Sequence, residues 1–257
     1  MLRICKSKSE IRSIEDWFRI APPKKGASQW VDGRSAKELA KAWFPVPGDP
    51  QIPPELVALL NSRSETADIV WEIGEPERVS AFDDCGGEKR NADLVLWGRA
   101  GNTKVLASIE AKADEPFGEV AGKYVETRER DNPRSRVPER FGLLCEGLLG
   151  IAADDERARG VRYQLLTGLA GAFCEAQERE ADTTLFVVHE FTGKTDEANV
   201  QRNADDLNAF IRLVSKGTVT AIALGQLVGP VSVPGNKYIS GSKQVFIGKC
   251  RRVVHCA

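Results

Sequence analysis

Asp93, Glu110 and Lys112 are the residues of this chain whose types and spacing could do chemistry. Glu110 and Lys112 lie two apart at the end of the apolar run 105–109, and residues two apart in a strand share a face. Asp93 opens a second short apolar run, 93–97. Between the two runs lies Gly98-Arg99-Ala100-Gly101-Asn102, a turn-forming segment, so 93–97 and 104–111 read as an antiparallel hairpin. That pairing brings Asp93 within reach of Glu110. Two carboxylates meeting at a strand end suit a hard cation. Magnesium, with manganese as its substitute, takes a few carboxylates plus waters and phosphate oxygens. Such a cation polarises a phosphoryl group and acidifies water. Lys112 would orient or deprotonate that water and neutralise developing charge. Without a cation, burying both acids is costly through desolvation and mutual repulsion. An acid-x-Lys triplet alone is more often a solvated charge pair; the upstream Asp93 and the apolar lead-in separate this one from that reading.

Asp93 followed by Glu110-Ala111-Lys112 resembles the PD-(D/E)xK nuclease superfamily. The resemblance implies that Asp93, Glu110 and the Ala111 carbonyl bind metal, and that Lys112 serves the nucleophilic water. The proline that often precedes the acid is Ala92 here, after Asn91. The stretch from Glu110 to Gly118, and Arg162-Tyr163-Gln164-Leu165-Leu166 opening a helix, are similar to an uncharacterised bacterial family within that superfamily, over about residues 75–215. The resemblance implies a restriction-endonuclease-like fold and a magnesium-dependent nuclease hydrolysing phosphodiester bonds of DNA, in restriction or phage defence. It also implies a homodimer or a larger defence complex. The alternative is a catalytically inactive nuclease-fold binding module, or an interaction subunit of a larger complex, motivated by the missing proline and the near-neutral charge. In that case Trp30, Trp43 and Asp32-Gly33-Arg34-Ser35 are where a partner would dock; the plainer reading packs the tryptophans onto the core.

Further residues could assist. Some nucleases of the superfamily place a glutamine on the helix near the active site, which makes Gln164 and Tyr163 auxiliary candidates. Gly168 and Gly171 follow Gln164 at helical spacing, and each helix-interior glycine costs about 1 kcal/mol relative to alanine. A closely approached face therefore has a reason to exist, with sheet packing the stronger account and passing substrate the weaker. A third acid would come from upstream, where Glu55, Glu65, Glu72 and Glu75 are available; Glu72 is favoured for its apolar neighbours Val70, Trp71 and Ile73. Arg128, Arg130, Arg134 and Arg136 could grip phosphates, but such a run is more often a solvated loop. His189, inside an apolar strand, reads as a satisfied core histidine.

These residues need a scaffold. The 257 residues, 42% hydrophobic and 28% charged, are enough for one large globular domain. Lys+Arg 36 against Asp+Glu 37 gives a net charge of -1, which argues against a tight non-specific nucleic-acid coat. No apolar run reaches the roughly 20 residues of a membrane helix, and residues 1–10 lack the apolar stretch of a signal peptide. Six scattered cysteines fit a cytoplasmic protein better than a disulfide framework. Cys250, His255 and Cys256 cluster near the C-terminus without the paired spacing zinc prefers. Residues 1–50 read as an N-terminal helical segment packed on the core, with a helix over 36–44 after Ser35. Residues 51–257 read as the main domain. There, helices are expected at 55–61, 139–149, 161–179 and 203–214. Strands are expected at 79–82, 93–97, 104–111, 184–190 and 218–224, with 116–138 irregular and 230–257 β-rich. That order predicts an α/β fold, a central mixed sheet flanked by helices.

Overall fold

The computed structural model describes residues 1–86, 89–113, 115–193 and 197–254. Two short strands, β1 (Arg3–Lys6) and β2 (Ser9–Ile11), precede the helices α1 (Ile14–Ile20), α2 (Ser35–Trp43) and α3 (Pro54–Leu60). Three long strands follow: β3 (Val70–Ser80), β4 (Arg90–Ala100) and β5 (Thr103–Lys112). Next come α4 (Ala121–Asp131), α5 (Val137–Leu144), α6 (Glu156–Gly160) and α7 (Tyr163–Glu178). The chain continues through β6 (Thr183–Thr192), α8 (Glu197–Val214), β7 (Gln226–Ser232) and β8 (Gln244–Val253).

All eight strands join one mixed sheet in the order β2-β1-β3-β4-β5-β6-β8-β7. The meander β3–β4–β5 is antiparallel, whereas β5, β6 and β8 run parallel. Strand alternation sorts the side chains into two cores. Leu94, Leu96, Ile109, Ala111, Leu185 and Val187 pack with residues of α1–α3 on one face. Phe186 and Val188 pack on the other with α4, α5, α7 and α8. By the same alternation Asp93, Glu110 and Lys112 point to the α7 face. The expected α/β architecture, a central mixed sheet flanked by helices, is what the chain adopts.

Several local expectations need correction. Residues 1–50 are not simply helical: β1 and β2 extend the sheet, with Ile4 and Ile11 fully buried. Two strands of four and three residues with charges between the apolar positions carry too little periodicity to be read. β1 also pairs with β3, so the first fifty residues and the rest share one sheet. Trp43 is fully buried in the α1–α3 core, and Trp30 packs against it, stacked on Phe18. The hairpin turn is shorter than expected, because Gly98, Arg99 and Ala100 continue β4. Gly98 is needed there: a Cβ would lie 2.4 Å from the Val70 carbonyl oxygen on β3. The 116–138 segment contains α4, anchored by buried Ala121 and Val125. The strand expected at 218–224 is an extended loop, and the strand begins at Gln226. Of the C-terminal zinc candidates, Cys250 is buried in β8, while His255 and Cys256 lie outside the described residues.

Replacing Gly98 by alanine should destabilise the protein by about 1–3 kcal/mol, since backbone must move to admit the methyl group. Gly142→Ala in α5 meets nothing within 4 Å and should instead gain about 1 kcal/mol from helix propensity. Urea unfolding of the two variants checks both signs.

Candidate metal centre

The site is assembled by register. Pro76↔Leu94 and Arg78↔Ala92 bracket Glu77 opposite Asp93, and continuing the pairing one step past Leu94↔Ile109 sets Asp93 opposite Glu110. Three acids from three adjacent strands thus form one row. Glu77 takes a positive φ of 50°, a conformation that costs a non-glycine residue free energy and turns up at functional sites. The Lys6 ammonium donates to its carbonyl oxygen at 2.6 Å, and Asn91 Nδ2 donates to its carboxylate at 3.3 Å. Asp93 Oδ2 accepts the Ala111 backbone N–H at 2.7 Å, tying the two strands at the point where the row crosses them.

Glu110 is only 1% exposed and fully engaged. Its Oε1 accepts from Gln164 Nε2 at 2.6 Å and from Lys112 Nζ at 2.9 Å, and its Oε2 is ion-paired with Arg90. A carboxylate can only accept, so the Gln164 amide must present its nitrogen. Gln164 lies in the first turn of α7, whose dipole also favours an anion. Lys112 is buried, with its ammonium 5.5 Å from the centre of the buried Phe117 ring. Beyond it the same face continues with Glu190 and Arg251, paired at 2.9 Å.

These contacts push the titrations apart. Burial and then the Glu110 charge push the Asp93 carboxyl up to about 8, against the pull of Lys112 and Arg90. Burial would raise Glu110 too, but the Arg90 and Lys112 cations overcome it and hold Glu110 below the usual carboxylate range. Burial raises the Glu77 carboxyl. For Lys112 burial alone would lower the pKa; Glu110, Asp93 and Glu115 outweigh it and raise the ammonium above its ordinary value. Lys112 is therefore a cation here, suited to orienting a water and stabilising negative charge rather than to removing a proton.

The predicted residues separate cleanly. Asp93, Glu110, Lys112, the Ala111 backbone and Gln164 come together. Tyr163 does not: its ring stacks on Tyr124 of α4 at 4.3 Å, and it makes no hydrogen bond to the three acids. Glu72 does not either. It is the extra residue of a β-bulge between Trp71 and Ile73, turned to solvent and paired with Arg99 at 3.4 Å. Its apolar neighbours are no guide to burial, since Val70 and Ile73 are themselves exposed. Glu55 lies across the sheet, bonded to His189 and Arg252. Glu65 is exposed and pairs with Arg63, and Glu75 pairs with Lys6 and Arg78. His189 is fully buried with Nε2 bonded to Glu55, although Nδ1 has no partner among the described residues. Three of the 128–136 arginines are engaged locally, Arg130 on Asp131, Arg136 on Glu139 and Arg128 over the Tyr124 ring, while Arg134 is exposed. Glu77 and Arg90 are the residues sequence reasoning missed. Glu77 follows Pro76, which suggests a break, yet β3 pairs with β4 on both sides of it.

The donors are hard oxygens of the type magnesium takes. They are not drawn together as a ready cage. Among the described residues, three ligand atoms within 4.8 Å of one another occur at Asp84, Cys85 and Glu139. That group lies on the surface and is neutralised by Arg136 and Lys237. In the row of acids, the Arg90 and Lys112 cations stand where a divalent ion would otherwise supply the charge.

Residues 10–251 match a family described as a domain of unknown function, DUF6946. The chain belongs to that family. The match takes in every residue of the site, from Glu77 to Gln164. Neither a curated protein nor a solved structure matches the chain.

The Asp93 titration has a measurable sign. In EDTA the folded chain keeps a proton on Asp93 that the unfolded chain sheds near pH 4. Stability from this group is therefore full below about pH 4 and is lost as pH rises through about 8. Asp93→Asn should remove that dependence. Thermal melts of both proteins across the window check it; a wild type that gains stability relative to Asp93→Asn as pH rises contradicts it.

Proposed function

We propose that this chain is a metal-dependent nuclease hydrolysing phosphodiester bonds, with DNA as substrate and magnesium as cofactor. The observation that carries the reading is the row of Glu77, Asp93 and Glu110 on three adjacent strands, with Lys112 and Gln164 converging on the Glu110 carboxylate. This arrangement supports the PD-(D/E)xK resemblance of Asp93 and Glu110-Ala111-Lys112, and with it a restriction-endonuclease-like sheet. Asp93, Glu110 and the Ala111 carbonyl are the proposed ligands, with Glu77 as the third acid. Magnesium bound there would supply Lewis acidity toward the phosphoryl group and acidify a water. Lys112 holds that water and stabilises the charge that develops on phosphate oxygens. Gln164 fixes the rotamer of Glu110 through its 2.6 Å hydrogen bond. The Phe117 ring beside its ammonium and the burial of Lys112 limit its access to bulk water.

A role in restriction or phage defence, as a homodimer or within a larger complex, goes with this reading. A cytoplasmic location fits the cysteines, which are free among the described residues. No helix among those residues is long and apolar enough to cross a membrane. A second reading, an inactive nuclease-fold module or an interaction subunit, is favoured by one observation: cations already satisfy Glu110.

Incubation with linear, circular and single-stranded DNA in Mg²⁺ or Mn²⁺ separates the two. The nuclease reading expects cleavage that Asp93→Ala and Lys112→Ala lower by about 10²–10⁴-fold. Glu77→Gln should cost about tenfold or more, whereas Glu72→Ala should cut like wild type. Absence of cleavage on every substrate, or full activity in Lys112→Ala, would sink it.

A further inference from the structure

Two glycines of α7 and the first residue of β4 explain one another. A Cβ on Gly171 would lie 3.3 Å from Arg90 Cγ, and one on Gly168 would lie 3.7 Å from an Arg90 terminal nitrogen and 3.0 Å from the Phe186 ring. The bare face of α7 is thus a channel for the Arg90 stem as well as a packing surface on the sheet. The channel delivers the guanidinium to Glu110, with the Arg90 side chain 11% exposed.

The arginine is poorly satisfied once it arrives. A guanidinium and a carboxylate can form two parallel hydrogen bonds. Here one terminal nitrogen pairs with Glu110, while the buried Nε has no partner among the described residues. A buried donor without an acceptor costs free energy that a better acceptor would recover. A phosphate matches the fork that Arg90 presents. The charges agree. Glu77, Asp93 and Glu110, if all ionised, exceed Arg90 and Lys112 by one negative charge. A divalent ion turns that excess into one positive charge, the complement of a single phosphodiester.

We propose that Arg90 is a displaceable countercharge: it holds Glu110 while no divalent cation is bound, and on cation binding it turns to an oxygen of the substrate phosphate. The proposal rests on the nuclease reading above. It makes Arg90 a substrate-binding residue of the site, and makes the ion pair a contact that metal binding must break.

The test is calorimetric titration of wild type, Arg90→Met and Arg90→Lys with Mn²⁺ alone. Arg90→Met keeps the stem in its channel and removes the competitor, so it should bind Mn²⁺ about tenfold tighter. Arg90→Lys keeps a cation without the fork and should fall between; it carries the test should the methionine variant not fold. In Ca²⁺, Arg90→Met should bind a DNA oligonucleotide about tenfold more weakly than wild type. Mn²⁺ binding in the variants equal to or weaker than wild type overturns the proposal, as does unchanged oligonucleotide affinity. No Mn²⁺ binding by any of the three overturns the nuclease reading with it.

Discussion

The structure depends on keeping a charge on Glu110 inside the protein. A carboxylate this buried is tolerated only when its oxygens are met by strong donors. Here they come from three elements: Arg90 from the start of β4, Lys112 from the end of β5, and Gln164 from the start of α7. Loss of one partner from such a buried cluster costs on the order of 3–5 kcal/mol. The cluster therefore fixes where α7 begins relative to the sheet. It also helps explain why α7 carries glycines where Arg90 must pass. On the opposite face, α1–α3 bury Ala111 and Ile109, which leaves the acids on the face that α7 covers.

The same cluster grades its acids. Asp93 and Glu110 are neighbours in the row, yet one is pushed up and the other held down. The difference is the company each keeps. Glu110 has two cations and an amide on its oxygens, whereas Asp93 accepts a backbone N–H. Half-buried Asp93 and buried Glu110 thus differ in tendency beside a lysine that stays charged. Under the proposed function, a divalent cation would let Asp93 ionise beside Glu110. Lys112 is thereby assigned to electrostatics and positioning, a narrower role than the sequence allows.

Much of this is legible in the amino-acid sequence. The two-residue spacing of Glu110 and Lys112 puts both on one face, and the hairpin puts Asp93 beside them. The long helices, α7 above all, stand out through their apolar spacing. The features that the sequence hides share a cause: they depend on register or on strands too short to show a period. Glu72 and Glu77 look alike in sequence, but a bulge between Trp71 and Ile73 sends Glu72 to solvent. Glu77, behind a proline and in a left-handed conformation, gives no strand signal, and only its pairing opposite Asp93 reveals it. Arg90 lies next to a polar loop, and nothing local indicates that its guanidinium reaches Glu110. β1 and β2 escape notice because each has just one buried apolar residue.

The most direct test is a crystal structure of the protein with Mn²⁺, located by its anomalous scattering. The expected result is manganese bound by Asp93, Glu110 and the Ala111 carbonyl oxygen, with Arg90 withdrawn from Glu110. Manganese found only at Asp84, Cys85 and Glu139, with the Arg90–Glu110 pair intact, would contradict it.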